Sequence, residues 1–453
     1  MGLPRLVTVQ AGGRRRWRPA PSTTAALCLT LLVAVLSVAV SVTSPPRPAR
    51  INLYLDGVAV SADGTLVSIP AGTAAQYLPG TRVVDPAATD RAAADRAWLA
   101  SARVPGADGP YGDLVAGALL DLRALAGPDG ALIAGNSPRW RYVWPRDASF
   151  AAAALAAAGH PEDAERILQH LQGLRAASPR FEARYLPDGS GRVPDERPPQ
   201  IDGAGWVLWA TGVLLAELPE SSRADVAAEL LPLVETARRD IALQTATRSG
   251  LPRPSSDFWE YETFGVTLGA AAPLLAGLES AVGIYDVLGR AEDALSARAA
   301  ADELRAAVVA RFGPDGYPRF LRGRLPDAST AFLLPPFQPT PLDGGPEAWK
   351  ASVGPMSRPA GGLAPGAGWR EDGVSWTPQT ALYALVAASA GRDDEARRWL
   401  TWLDEHRTAS GALPEKVLAD GSPAAVAPLA WTAALVILSV AALEEAGHGT
   451  SAG

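Results

Sequence analysis

Residues 148–174 read ASFAAAALAAAGHPEDAERILQHLQGL, and the fold follows from how this stretch is divided. Ala148–Ala158 is apolar on every side, the pattern of a helix with protein all round it. Gly159 ends that helix in the left-handed conformation, and Glu162 and Asp163 begin the next one, where the helix dipole favours acidic residues. In the second helix Ala164, Ile167, Leu168, Leu171 and Leu174 mark a single apolar face, so it lies outside the first. The same joint recurs as Gly289-Arg-Ala-Glu-Asp-Ala294 and as Gly391-Arg-Asp-Asp-Glu-Ala396. The chain therefore repeats a helical hairpin with a buried member and an outer, one-faced member.

Extending this pattern predicts inner helices near 146–159, 202–217, 263–288, 326–335, 376–391 and 427–446. Outer helices fall near 112–126, 161–175, 221–247, 291–312, 344–352 and 393–408. Six of each make an all-α (α/α)6 barrel over 91–446, with a disordered tail at 447–453. Ala424–Leu443 is apolar enough to suggest a membrane span, but it reads as the twelfth helix of the barrel. Residues 44–90 hold a Pro-rich linker (SPPRPAR, 44–50) and a small β region. There INLYL, SADG and TLVSI suggest a hairpin, too short to be a separate large domain.

Arg14, Arg15, Arg16 and Arg18 precede an uncharged run over 23–43, close to the ~20 residues that span a bilayer. This predicts a basic cytoplasmic tail (1–22), a transmembrane signal anchor (23–43) and a barrel outside the cell, with the lipid bilayer as a partner. Cleavage near Ser37-Val38-Ala39, giving a secreted protein, is the competing reading. A net charge of −7 and a pI near 5.3 argue against nucleic acid. Cys28 is the only cysteine and the four histidines are scattered, so neither an internal disulfide nor a metal site is expected, and no cofactor is implied.

In such a barrel the loops leading into the inner helices share one end. The residues that break the apolar pattern fall in those loops: RYVWPRD (141–147), PPQIDGAGW (198–206), DFWEYE (257–262), WREDGVSW (369–376) and GALPEK (411–416). One end of the barrel is thus lined by carboxylates, Arg and Trp, the composition of a carbohydrate-hydrolysing cleft. Each residue also has a bland explanation. Asp147 has the composition of a helix cap, Glu260 that of a dipole-stabilised anion before a helix, and Glu415 that of a solvated loop charge beside Lys416. Trp206, Trp209, Trp376 and Trp431 are equally core residues. Trp259 favours Glu260 as an acid, because an apolar neighbour raises a carboxyl pKa; Glu262 is its rival.

W-P-R-D (144–147), D-F-W-E (257–260), and L-P-E-K (413–416) followed by P-L-A-W (428–431) resemble the motifs of the glucoamylase family, glycoside hydrolase family 15. The resemblance runs over roughly 110–446. It implies a six-hairpin, inverting, exo-acting hydrolase that releases glucose from α-glucans or α-glucosides. Carried over residue by residue, Glu260 matches the general acid and Glu415 the general base. Trp144, Arg146 and Asp147 match the subsite for the terminal glucose. Asp202, Trp206, Trp259 and Arg370 are further candidates for substrate binding, Arg370 as a loose match. Tyr261 stands where many relatives carry a second glutamate, and Lys416 replaces the commoner glutamine. The large N-terminal β-sandwich of prokaryotic relatives has no counterpart in residues 44–90. A trehalase of the same family, a phosphorylase on the same barrel and a non-catalytic glycan-binding protein are the alternatives.

Overall fold

In a computed structural model of the protein, which describes residues 50–175 and 180–451, the three hairpin glycines hold left-handed geometry. Their φ angles are 80° at Gly159, 66° at Gly289 and 67° at Gly391. Five α-helices form most of the inner ring: α3 (Pro145–Ala157), α5 (Asp202–Glu217), α8 (Leu268–Val287), α11 (Thr377–Ser389) and α13 (Ala430–Ser451). The sixth inner element, Ala328–Leu333, is a single 3-10 segment. In order they pack α3 on α5, α5 on α8, α8 on the 3-10 segment, that segment on α11, α11 on α13, and α13 back on α3. The ring is closed.

Around it lie α2 (Gly112–Leu125), α4 (Pro161–Arg175), α7 (Leu231–Thr245), α9 (Ala291–Phe312), α10 (Gly345–Met356) and α12 (Asp393–Glu405), each against an inner partner. Two further helices flank the barrel, α1 (Thr89–Ser101) and α6 (Glu220–Glu229). In α12 the buried residues Ala396, Trp399, Leu400 and Leu403 repeat at helical spacing, which is why it covers the barrel with one face only. Glycine allows the closest crossing. A Cβ on Gly205 would lie 2.0 Å from Pro273 O, and one on Gly277 would lie 2.7 Å from Gly205 Cα.

Four boundaries differ from the sequence reading. The outer helix expected at 221–247 breaks at Leu230, because Pro232 lacks a donor and belongs in a first turn. The helix expected at 326–335 shrinks to one 3-10 segment, begun by the Asp327 cap and ended before Pro335-Pro336. The third inner helix begins at Leu268 rather than 263, where Thr267 Oγ1 accepts from Ala270 N at 3.1 Å. The last helix continues to Ser451, so the tail expected from 447 is helical up to that residue.

Leu268–Val287 is long and apolar enough to cross a membrane, yet most of it is buried inside the barrel. The segment Ala424–Leu443 likewise supplies barrel core, with Ala430 to Ile437 inaccessible apart from Trp431 at 3%. The anchor expected at 23–43 and the tail at 1–22 lie outside the described residues.

The small β region braces the barrel. Strands β1 (Leu55–Val60) and β2 (Leu66–Pro70) form an antiparallel hairpin. Just before it, Tyr54 N donates to Ala425 O at 2.7 Å and Ala425 N donates to Asn52 O at 3.0 Å. The strand side thus zips onto the segment that precedes the last inner helix. A second, three-stranded sheet lies at the same end: β3 (Ser375–Trp376) and β5 (Pro423–Ala424) both pair with β4 (Lys416–Val417).

Candidate active site

At the end of the barrel where the inner helices begin, a cavity of about 430 Å³ opens among the loops. Its lining takes Trp144, Arg146 and Asp147 from the start of α3, Phe258 to Tyr261 from the loop before α8, Trp376 and Gln379 at α11, and Glu415, Lys416 and Trp431 before and within α13. The closed end is built from buried groups, Asp147 (3% exposed), Arg146 (6%) and Trp431 (3%), whereas Tyr261 is 43% exposed at the mouth.

Glu415 is held by its own backbone. Its N–H donates to Val426 O at 2.8 Å, and its carbonyl accepts from Thr377 N at 3.1 Å. The side chain is nearly buried, with Trp140 Nε1 3.4 Å from Oε1 and Lys416 Nζ 3.1 Å from Oε2. Lys416 is close enough for an ion pair but not aligned to donate, so Oε2 has no hydrogen-bond donor within the protein. Tyr54, from the bracing segment, packs its ring 5.6 Å from that of Trp140. Val426, which fixes the Glu415 N–H, follows directly on Ala425, the residue zipped to that segment. This is what the N-terminal β region does for the site.

Glu260 sits in a turn, with its N–H on Asp257 O at 2.7 Å. Its φ of 58° is left-handed, a conformation that costs a non-glycine residue about 1–3 kcal/mol and persists only when its surroundings impose it. The imposing group is Asp257, fully buried, whose carboxylate accepts from Arg319 Nη2 at 2.8 Å and from Trp259 N at 3.0 Å. The Arg319 guanidinium lies 3.7 Å from the centre of the Trp259 ring. Trp144 Nε1 donates to Glu260 Oε1 at 2.8 Å, Arg197 Nη1 pairs with Oε2, and Arg146 Nη2 lies 3.6 Å from Oε1. The helix-dipole explanation for Glu260 is corrected here, since α8 begins only at Leu268. Glu262 is exposed and does not line the cavity.

Asp147 lies inside the first turn of α3 and caps nothing; the residue at the cap position is Trp144. Arg146 Nη2 is 3.0 Å from Asp147 Oδ2 without donating to it, and this oxygen too lacks a donor. Burial pushes the Asp147 pKa up and the Glu415 charge adds to the rise, against the pull of Arg146. Gln379, Trp259, Trp369, Trp376 and Trp431 also line the cavity, while Gln379 Oε1 and the four indole N–H groups are buried and have no partner in the protein. The wall therefore presents flat aromatic faces, with unpaired donors and acceptors buried behind them.

Two of the candidates fall elsewhere. Trp206 is fully buried in an aromatic cluster with Phe150, Trp209 and Phe332, so its reading as a sugar contact gives way to core packing. Asp202 is buried beside it, with Trp206 Nε1 3.3 Å from Oδ2, and is not in the cavity wall; burial pushes its pKa up to about 6. The spacing of PPQIDGAGW hid this, because the loop ends at Gln200 and Asp202 is already the first residue of α5. Arg370 lies at the outer mouth, where its Nη2 donates to Tyr261 Oη at 2.8 Å. Arg139, Trp140, Arg184 and Arg197 line the cavity and were not singled out in the sequence, since none of them belongs to a family motif. Among the described residues no group of three or more His, Cys, Asp or Glu is arranged to hold a metal ion.

Beneath Trp259, Arg319 also faces Asp327, with Nε 3.5 Å from Oδ2. Burial and the neighbouring Asp257 charge push the Asp327 pKa up to about 7. An acid whose folded pKa is raised costs no stability below its unfolded pKa of about 4, and stability then falls as pH rises toward 7. Across that window the native carboxyl keeps a proton that the unfolded chain has lost, a slope of about 1.4 kcal/mol per pH unit. Asp327→Asn is expected to flatten that component, read as the difference between wild-type and variant urea unfolding at pH 4 to 8. A difference independent of pH would show that Asp327 is ionised throughout.

No family model matches the chain. It is 24% identical over 357 residues to an uncharacterised glycosyl hydrolase of Methanocaldococcus jannaschii, covering 71% of this chain and 54% of that protein. The chain thus spans about half the length of this curated relative. A glycosidase solved in complex with glucose superposes with a TM-score of 0.64 at 22% identity, over 73% of this chain and 96% of the other. A bacterial glucoamylase complexed with acarbose gives a TM-score of 0.65 at 18% identity, over 79% and 59%. The fold of this chain is that of the glucoamylase-type, six-hairpin glycosidases, as its motifs suggested.

Proposed function

We propose that the protein is an inverting, exo-acting glycoside hydrolase that releases glucose from α-glucans or α-glucosides. The observation that carries this reading is the pairing of Glu260 and Glu415 in a dead-end cavity walled by tryptophans, beside the buried Asp147 and Arg146. Glycoside cleavage needs one protonated carboxyl to assist the leaving oxygen and one carboxylate to activate water. Glu260 is the acid and Glu415 the base. The closed end admits one chain terminus, which supports exo action. Glucose release from maltose, isomaltose, trehalose and soluble starch tests the reading and ranks the linkages; no release from any of them or from α-glucosides with a charged leaving group would refute it.

Asp147 holds the terminal sugar, its carboxylate accepting a hydroxyl at the closed end of the cavity. Asp147→Asn is expected to lower kcat/KM by a factor equivalent to about 1.5–3 kcal/mol, the scale of a charged hydrogen bond. An effect within error on the best substrate would leave Asp147 a purely structural partner of Arg146.

A further inference from the structure

Five cations line the cavity, Arg139, Arg146, Arg184, Arg197 and Lys416, against three carboxylates, Asp147, Glu260 and Glu415. Each carboxylate already faces a cation of its own: Arg146 for Asp147, Arg197 for Glu260 and Lys416 for Glu415. Arg139 is left over, in a chain whose net charge is −7, and Arg184 finds its carboxylate only outside the cavity. Asp195, outside the cavity wall, is shared between Arg184 and Arg197. Arg184 Nη1 donates to the Arg139 carbonyl at 3.1 Å, so Arg184 lies against the backbone of Arg139. Burial and the charges of Arg184 and Arg139 all work against the charged form of Arg197. Guanidinium groups stay protonated in proteins, so such crowding is relieved by another anion and not by deprotonation.

Arg197 also fixes where that anion would lie. It touches Glu260, the group that hands its proton to the glycosidic oxygen, and it lines both the cavity and the outer mouth. An anion bound to it is therefore on the leaving-group side of the scissile bond. We propose that the physiological substrate is an α-glucoside whose leaving group carries a carboxylate or phosphate, held by Arg139, Arg184 and Arg197.

This rests on the hydrolase reading and resolves a conflict within it. A general acid must be protonated, yet Arg197 and Arg146 both turn positive charge toward Glu260. An anionic leaving group takes over Arg197, and Glu260 can then carry its proton. On cleavage that proton passes to the departing glycosidic oxygen as its bond to the anomeric carbon breaks. Water oxygen bonds to the same carbon, and its proton goes to Glu415.

The test uses the full-length chain and matched substrates: maltose and isomaltose, the aldonic acids formed by oxidising their reducing ends, and maltose 1-phosphate. At low salt the anionic members are expected to show kcat/KM at least about tenfold above their neutral parents, an advantage that shrinks as salt screens it. Arg197→Gln and Arg139→Gln are expected to reduce the anionic-to-neutral ratio toward one; Arg139 is exposed, so that variant does not depend on a core residue. Preference for the aldonates assigns a carboxylate, and preference for the phosphate assigns a phosphoester. Neutral sugars cleaved as well as or better than the anionic ones would overturn the proposal and leave the hydrolase reading standing. If nothing is cleaved, the hydrolase reading fails, and titration calorimetry with the same compounds still decides this one. Tighter anion binding that is lost in Arg139→Gln sustains the anion site without its substrate role, and equal binding ends it.

Discussion

Glu260→Gln and Glu415→Gln are each expected to lower kcat at least about a hundredfold, the low end for loss of an acid or base, with the far-ultraviolet circular dichroism unchanged. Both side chains face the cavity and neither is part of the apolar core, so the fold has little reason to respond. The wild-type enzyme is expected to release β-glucose first from an α-linked substrate, because water held by Glu415 attacks the face opposite the leaving group. Proton NMR of fresh hydrolysate reads the anomer before mutarotation. In a sugar-bound structure the two carboxyl groups should stand roughly 6.5–9.5 Å apart, leaving room for that water. Initial α-glucose, or a separation of about 5–5.5 Å, would overturn inversion even with hydrolysis confirmed.

Arg319→Met should be the most destabilising single change near the site, by about 3–5 kcal/mol, the range for breaking one side of a buried ion pair. Arg319 is 7% exposed, Asp257 and Asp327 are fully buried, and the arginine is the cation facing both. Removing it leaves the buried Asp257 carboxylate without its cation under the turn that carries Glu260. Because a domain of ordinary stability holds only about 5–15 kcal/mol, the loss would show as a large fall in the urea midpoint. Activity should fall as well, since the left-handed geometry of Glu260 depends on Asp257. A loss below about 1 kcal/mol would mean that Asp257 is held in place by the backbone alone.

Much of the barrel was legible in the sequence because a helix buried on all sides and a helix buried on one side have different compositions, and the glycine joints mark where one gives way to the other. Ala148–Ala158 and the Ala164–Leu174 face announced their layers by local pattern. The weak point was 326–335, where two consecutive prolines leave room for only a 3-10 segment; its place in the ring depends on contacts with α8 and α11 that no local pattern encodes. Of the candidate site, Trp144, Arg146, Asp147, Trp259, Glu260 and Glu415 converge on one cavity. Trp206 and Asp202 do not, because α5 has begun at Asp202 and turns both side chains into the core.

Taken alone, the sequence determined the alternation of inner and outer helices, the shared end where the loops gather, and the two carboxylates that could act together. These are properties of periodicity and of residue type, which neighbours along the chain suffice to set. Tertiary structure decided what surrounds those carboxylates. Arg197 lies 63 residues from Glu260, and Trp140 lies 275 residues from Glu415. The Asn52–Tyr54 segment braces Ala425 across nearly the whole chain. Charge, burial and hydrogen bonding at a site are sums over groups brought together by folding, and a linear pattern carries no record of which distant groups will arrive.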